Sequence, residues 1–252
     1  MRAWGITDIG LQRSENQDSY AIDQREDGSC IIAVVCDGMG GVNGGKLASS
    51  IAVETFIAKN RALLQPDMTV EELREMQSFC VSQANDAVFA RAKGNSDCHG
   101  MGTTLVSALM IPGGAIICNV GDSRAYHIGR QGITRITHDH SVVENLVRNG
   151  ELTPEQARTH PNRNLITRAL GPESYIECDT YDVTMADGDA LLLCSDGLVI
   201  TVTDEEMLQI IREEADAEQC LARLLVKSKE NGAPDNVTAV LIRNQLGGEI
   251  DG

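Results

Sequence analysis

Four aspartates carry the first chemical signal, because each stands at one end of an apolar run. Ile31-Ile32-Ala33-Val34-Val35-Cys36 stops at Asp37, which is followed by Gly38-Met39-Gly40-Gly41. Ile116-Ile117-Cys118-Asn119-Val120 runs into Gly121-Asp122-Ser123, and Ala190-Leu191-Leu192-Leu193-Cys194 runs into Ser195-Asp196-Gly197. Asp235-Asn236 stands directly before Val237-Thr238-Ala239-Val240-Leu241-Ile242. A continuous run rich in Ile and Val fits a strand buried on both faces. Asp37-Gly38 alone also reads as a hairpin turn, and Asp122 also reads as the cap of its own turn. If the four strand ends converge, their carboxylates form a cluster that needs cations.

Carboxylates and a backbone carbonyl suit Mg2+ or Mn2+, hard ions that keep much of their water. Two such ions bridged by one aspartate sit ~3.5–4 Å apart and lower the pKa of a shared water. The resulting hydroxide is a nucleophile suited to a phosphate ester, and an arginine is then needed to hold the phosphate oxygens in a bidentate grip. Arg13 is the best candidate, because it shares a polar loop with Asp18. An ordinary surface arginine is the other reading of Arg13.

Other chemistries fit less well. Gly40-Gly41-Val42-Asn43-Gly44-Gly45-Lys46-Leu47 nearly forms a phosphate-binding P-loop, but Leu47 stands where Ser or Thr must meet magnesium. Gly38-Met39-Gly40 begins a dinucleotide fingerprint, and Asn43 occupies the third glycine position. Gly121-Asp122-Ser123-Arg124-Ala125 lacks the last glycine of a nucleophile elbow. His138 and His140, two apart, point to opposite sides and read as structural residues rather than a zinc pair.

The elements that must position these residues follow from periodicity and punctuation. Residues 2–10, 18–24 and 31–36 read as strands. Residues 44–64 read as a helix with Ala48, Ile51, Ala52, Thr55 and Phe56 on one face. A second helix starts at Thr69, whose pairing with Glu72 is a capping box. Strands follow at 103–111, 114–120, 124–128 and 132–136, separated by glycine turns. A short helix is expected at 140–149. Another starts at Thr153-Pro154-Glu155-Gln156. Residues 159–174 show no periodicity. Strands return at 176–185 and 189–194, helices at 203–214 and 217–230, and a last strand at 237–243. Strands in hairpin runs and helices in pairs indicate a layered α+β domain.

Composition narrows the partners. The chain has 252 residues and a formal charge of −16, which argues against nucleic acid and against anionic membranes. No apolar stretch approaches the ~20 residues that span a bilayer, and residues 1–8 lack the apolar core of a signal peptide. Eight cysteines form no C-x-x-C pair and read as reduced, buried residues of a cytoplasmic protein.

Seven segments then occur in a familiar order: 13–18 (Arg13 to Asp18), Asp37-Gly38-Met39-Gly40-Gly41, Gly102-Thr103-Thr104, Gly121-Asp122-Ser123-Arg124, Asp139-His140-Ser141, Ser195-Asp196-Gly197 and Asp235-Asn236. Together they resemble the metal-dependent protein phosphatases, the type 2C serine/threonine phosphatases, in their bacterial form. The resemblance runs from about residue 5 to 243. It implies a four-layer α-β-β-α sandwich of two antiparallel sheets flanked by helix pairs, within one domain over 1–245. Asp37 would bridge two Mn2+ or Mg2+ ions and the Gly38 carbonyl would bind one of them. Asp196 and Asp235 would complete the other site, with Asp18 acting through water. Asp122, with Asp196, matches a weaker third site. Arg13 matches the phosphate-binding arginine, and residues 141–170 match a mobile flap beside the site. The tail at 246–252 is expected to be disordered.

Gln17 and Met39 depart from the eukaryotic pattern, where a glutamate ligand and a histidine acid are common. A metal-bound water is then the expected proton donor to the leaving group. The implied activity is hydrolysis of phosphoserine and phosphothreonine by direct hydroxide attack, on phosphorylated protein substrates, opposite a serine/threonine kinase. A monomeric signalling enzyme is expected. The rival reading is a catalytically silent member that binds phosphoproteins as a regulator.

Overall fold

The computed structural model describes residues 1–25, 29–94 and 98–244. The expected disordered tail lies outside the described residues, as do residues 26–28 and 95–97.

One sheet runs β1(Arg2–Asp8), β11(Val237–Arg243), β10(Ala190–Cys194), β7(Arg124–Gly129) and β8(Gly132–Arg135) in spatial order. The other runs β2(Asp18–Gln24), β3(Ile31–Met39), β5(Leu105–Ile111), β6(Gly114–Val120) and β9(Asp179–Thr184), with β4(Gly102–Thr103) paired to β3. The pairings within both sheets are antiparallel. α1(Gly41–Leu63) and α2(Val70–Gly94) cover the outer face of the β2–β9 sheet. α6(Asp204–Glu213) and α7(Ala217–Glu230) cover the outer face of the other. The expected four layers are therefore present.

The alternation along β3 shows why the run at 31–36 is apolar throughout. Ile32, Val34 and Cys36 point into the core under α1 and α2. Ile31, Ala33 and Val35 point the other way, into a core shared with Leu191, Leu193, Val240 and Ile242 of the facing sheet. Every residue of the run is thus buried, and each Ile or Val contributes roughly 1.5–3 kcal/mol by leaving water.

The structure corrects several boundaries. β3 continues through Asp37 to Met39, so Asp37-Gly38 is not a hairpin turn; the positive φ of 119° falls on Gly40. The expected strand at 103–111 breaks at Thr104, which bonds Asp37 instead of continuing the ladder. β1 ends at Asp8, whose carboxylate accepts the Gly10 amide at 2.9 Å and turns the chain. A short helix, α5(Asp196–Val199), follows β10 where no helix was expected. α3(Val142–Arg148) and α4(Pro154–Arg158) lie where expected, and Thr153 and Gln156 form the anticipated capping box.

Candidate functional site

The strand ends do converge. A cleft of about 840 Å³ is lined by Arg13, Ser14, Glu15, Gln17, Asp37, Gly38, Met39, Gly40, Thr104, Asp122, Asn164, Ile166, Asp196, Asp235 and Asn236. It holds every site residue read from the sequence except Asp18, which is buried at 1% exposure behind it. Arg13 is the cationic side chain among the described lining residues, set against four aspartates and Glu15.

Register places the first two carboxylates. Asp18 opens β2 and is the Cα partner of Asp37 on β3. The Asp18 Oδ2 accepts from Ser195 Oγ at 2.8 Å, and Ser195 Oγ accepts from the Thr238 amide at 3.0 Å. Asp37 is fixed through its backbone. Its amide donates to Thr104 Oγ1 at 2.9 Å, and its carbonyl accepts from Thr103 Oγ1 and the Thr104 amide, both at 2.9 Å.

Gly38 is needed for close approach. A Cβ there would lie 2.0 Å from the Gly45 carbonyl and 2.7 Å from that of Gln17. In the stretch that imitates a P-loop, Gly45 serves instead to bring the start of α1 against the Gly38 backbone, where its own Cβ would lie 2.7 Å from the Gly38 carbonyl, while Gly44 lies against Met101.

Asp235 and Asn236 enter just before β11. Asn236 ties the Arg13 loop down: its Oδ1 accepts the Gln17 amide at 2.8 Å, and its Nδ2 donates to the Ile9 carbonyl at 2.9 Å and the Glu15 carbonyl at 3.0 Å. Arg13 Nη2 reaches Asp235 Oδ2 at 2.6 Å.

The electrostatics are those of crowded anions. Burial first, then repulsion from Asp18, Asp196, Asp122 and Asp235, push the Asp37 carboxyl well above its ordinary range. Asp122 is raised well up by burial and by Asp196. Burial raises Asp18 to about 6 and Asp196 to about 7, with Asp235 adding repulsion in both cases. Asp18 Oδ1 and Asp196 Oδ1 are buried with no hydrogen-bond partner. A buried carboxylate oxygen without a donor is costly, and a divalent ion satisfies that demand.

Among the described residues, no group of three or more Asp, Glu, His or Cys side chains stands ready to hold an ion by itself. Asp235 is engaged by Arg13, which draws one carboxylate away. The donor set nonetheless fits Mg2+ or Mn2+, because such an ion takes only a few carboxylates and completes its shell with carbonyl oxygen and water. Hard oxygens without sulfur or imidazole also exclude a zinc-type set.

A thiolate centre is excluded by packing. Cys118 lies six residues before Arg124, the spacing of a cysteine phosphatase loop. Cys118 is fully buried in β6 with its thiol pushed well up by the neighbouring Cys178 and by burial. Arg124 is committed to Asp139, with Nε to Oδ1 at 2.9 Å and Nη2 to Oδ2 at 2.6 Å. All eight cysteines are free, and all but Cys178 are buried.

The sequence reading missed the groups that hold the carboxylates. Ser195, Thr104 and Asn236 sit beside recognised aspartates, but an uncharged hydroxyl or amide carries no signal of which atom it meets. His138 and His140 diverge as expected, one exposed and the other buried.

A family model for Protein phosphatase 2C matches residues 12–241. The serine/threonine phosphatase Stp of Listeria monocytogenes is 36% identical over 249 residues, covering 98% of this chain and 97% of its own. A solved bacterial serine phosphatase superposes with a TM-score of 0.90 at 34% identity, over 99% of this chain and 100% of that one. The catalytic domain of the serine/threonine protein phosphatase PstP, solved with two manganese ions, gives a TM-score of 0.82 at 32% identity, over 95% of this chain and 96% of that one. The chain belongs to the protein phosphatase 2C family, in its bacterial form.

Proposed function

We propose that this chain is a protein serine/threonine phosphatase whose carboxylate cleft holds divalent ions and whose Arg13 holds the phosphoryl group of phosphoserine or phosphothreonine. The observation that carries this reading is the convergence of Asp37, Asp122, Asp196 and Asp235, from separate strand ends, on one cleft with Arg13 at its wall.

Asp37 would be the carboxylate that both Mn2+ or Mg2+ ions share, and the Gly38 carbonyl, Asp196 and Asp235 would supply further oxygen ligands. Asp18 acts from behind through water, held in place by Ser195. Asp122 and Asp196 would hold a weaker third ion. Manganese is supported by the PstP relative solved with that metal. When bound, such ions lower the pKa of water and offset the charge of a phosphate ester.

Arg13 offers a planar fork of five N–H donors, of which one meets Asp235. The rest can take phosphate oxygens, and that grip sets the phosphorus in line for attack by water. Met39 carries no exchangeable proton, so the leaving serine or threonine oxygen takes its proton from water. The substrates are phosphorylated proteins, and a serine/threonine kinase opposes the enzyme. It works as a cytoplasmic monomer within one domain over 1–245, with 141–170 as a flap. Asn164 and Ile166 of that segment line the cleft. Among the described residues, no helix is long and apolar enough to cross a membrane.

The test is turnover of a phosphothreonine peptide by the purified chain. Activity should require added Mn2+ or Mg2+ and vanish on chelation. Full turnover in excess chelator would overturn the reading.

A further inference from the structure

His140 stands where residues 141–170 leave the sandwich, and it grips the turn that carries Asp122. Gly121 takes φ +106°, and a Cβ there would lie 2.6 Å from Thr104 Cγ2. A turn in that region of backbone space is not held by chain preference. His140 holds it from both sides: its amide donates to the Gly121 carbonyl at 2.9 Å, and the Gly121 amide donates to His140 Nδ1 at 3.1 Å.

That second bond fixes the tautomer. Nδ1 offers its lone pair, so the ring proton lies on Nε2, which is 3.2 Å from Asp179 Oδ2. Asp179 in turn accepts from Arg168 Nη1, at 2.8 Å on Oδ1. Arg168 lies in the segment whose Asn164 and Ile166 line the cleft, and the Thr167 amide donates to the His140 carbonyl at 2.7 Å. Burial keeps the imidazole below the usual histidine pKa against the pull of Asp179. A neutral ring can accept on one nitrogen while donating on the other.

The two halves of this chain of contacts differ in exposure. The side chains of Arg168 and Asp179 are 34% and 36% exposed, whereas that of His140 is 8% exposed. Exposed ion pairs form and release at little cost, but a buried amide left without its acceptor is expensive. A loose outer contact is thus joined to a tight inner one through a single ring.

We propose that His140 is a positioning residue that couples the placement of residues 141–170, through Arg168 and Asp179, to the shape of the Gly121 turn and so to Asp122. The consequence for metal rests on the reading of Asp122 as a ligand of the weaker ion; the coupling to Gly121 does not.

The test uses Arg168→Met and His140→Asn, singly and together, in the Mg2+-loaded enzyme. Asn keeps a side-chain acceptor near the position of Nδ1 and places nothing at Nε2. Amide exchange at Gly121, followed by NMR, is the primary readout. Arg168→Met should speed it by about tenfold. His140→Asn should keep much of the protection but make the exchange indifferent to Arg168→Met. Mn2+ titration of the same proteins should show the tight ions unchanged and the weaker one loosened by Arg168→Met. Unchanged Gly121 exchange in Arg168→Met would overturn the coupling, as would an equal effect of Arg168→Met with and without His140. Faster Gly121 exchange in Arg168→Met, when neither it nor wild type binds a weaker ion, would support the coupling and overturn only the role given to Asp122.

Discussion

Asp37 and Thr104 hold each other by two bonds, the Asp37 amide to Thr104 Oγ1 and the Thr104 amide to the Asp37 carbonyl, each 2.9 Å. Thr104 is where β4 and β5 separate, so the break in one strand fixes the carboxylate-bearing end of another. The same hydroxyl that accepts from Asp37 also shares a hydrogen bond with Ser123 Oγ at 2.7 Å, beside Asp122.

Thr104→Val keeps the shape but removes the acceptor. The Asp37 amide is then unpaired at a partly buried strand end, at a cost of about 1–3 kcal/mol. Thermal unfolding should show that loss, and turnover should fall because the Asp37 backbone is held only through its carbonyl, by Thr103 and the Thr104 amide. Thr104→Ser, which restores the hydroxyl, should recover most of both. Wild-type stability in the valine variant would show that the bond contributes nothing.

Arg13→Ala should raise KM by about 10- to 100-fold, the worth of a lost charge-assisted contact, with a smaller fall in kcat. The phosphate is already charged in the ground state, so the guanidinium binds substrate and transition state alike. Steady-state kinetics on a phosphopeptide decide this. A fall in kcat at constant KM would mean that Arg13 acts only in the transition state.

Stability should depend on pH and on metal together. Folding raises Asp18 to about 6 and Asp196 to about 7 from 3.8, and Asp37 and Asp122 move in the same direction. The folded chain then binds more protons than the unfolded one between those values. Without metal, the contribution of these groups is fully favourable below the unfolded pKa and is lost as pH rises through the folded ones. Divalent ions bind the ionised carboxylates, so their stabilisation grows over the same window. The rise in Tm on adding Mn2+ should be larger at about pH 7.5 than at about pH 5. Equal rises at the two pH values would contradict the assignment.

The sequence made the cleft carboxylates legible, but not what holds them. Asp37, Asp122, Asp196 and Asp235 announce themselves because a carboxylate at the end of a buried strand is anomalous on local grounds. Asp18 carries no such signal, since it opens a strand only half buried; the family resemblance supplied it. The run at 31–36 gave β3 and its burial on both faces, but not that the strand continues through Asp37. That extension depends on Gly38 passing close to Gly45, a long-range contact invisible to periodicity. α5 was missed because four residues are too few to show a helical period. His140 reads as structural from its neighbours in sequence, and only its contact with Gly121 connects it to the site.

If Asp122 holds the proposed weaker ion, Asp122→Ala should leave two tight ions bound while turnover falls, because a site with few carboxylates binds weakly. If Asp122 only caps its turn, the variant would lose stability and keep its specific activity. Metal titration with turnover measured on the same sample separates the two.

The most direct measurement is the metal count and the turnover of Asp37→Asn beside wild type. Wild type should bind two tight Mn2+ ions and hydrolyse a phosphothreonine peptide. Asp37→Asn should lose tight binding at both positions together, with turnover down by about a thousandfold or more, as expected when a group shared by two ions is removed. An Asp37→Asn enzyme that binds both ions tightly and turns over within a few-fold of wild type would contradict the shared-ligand account.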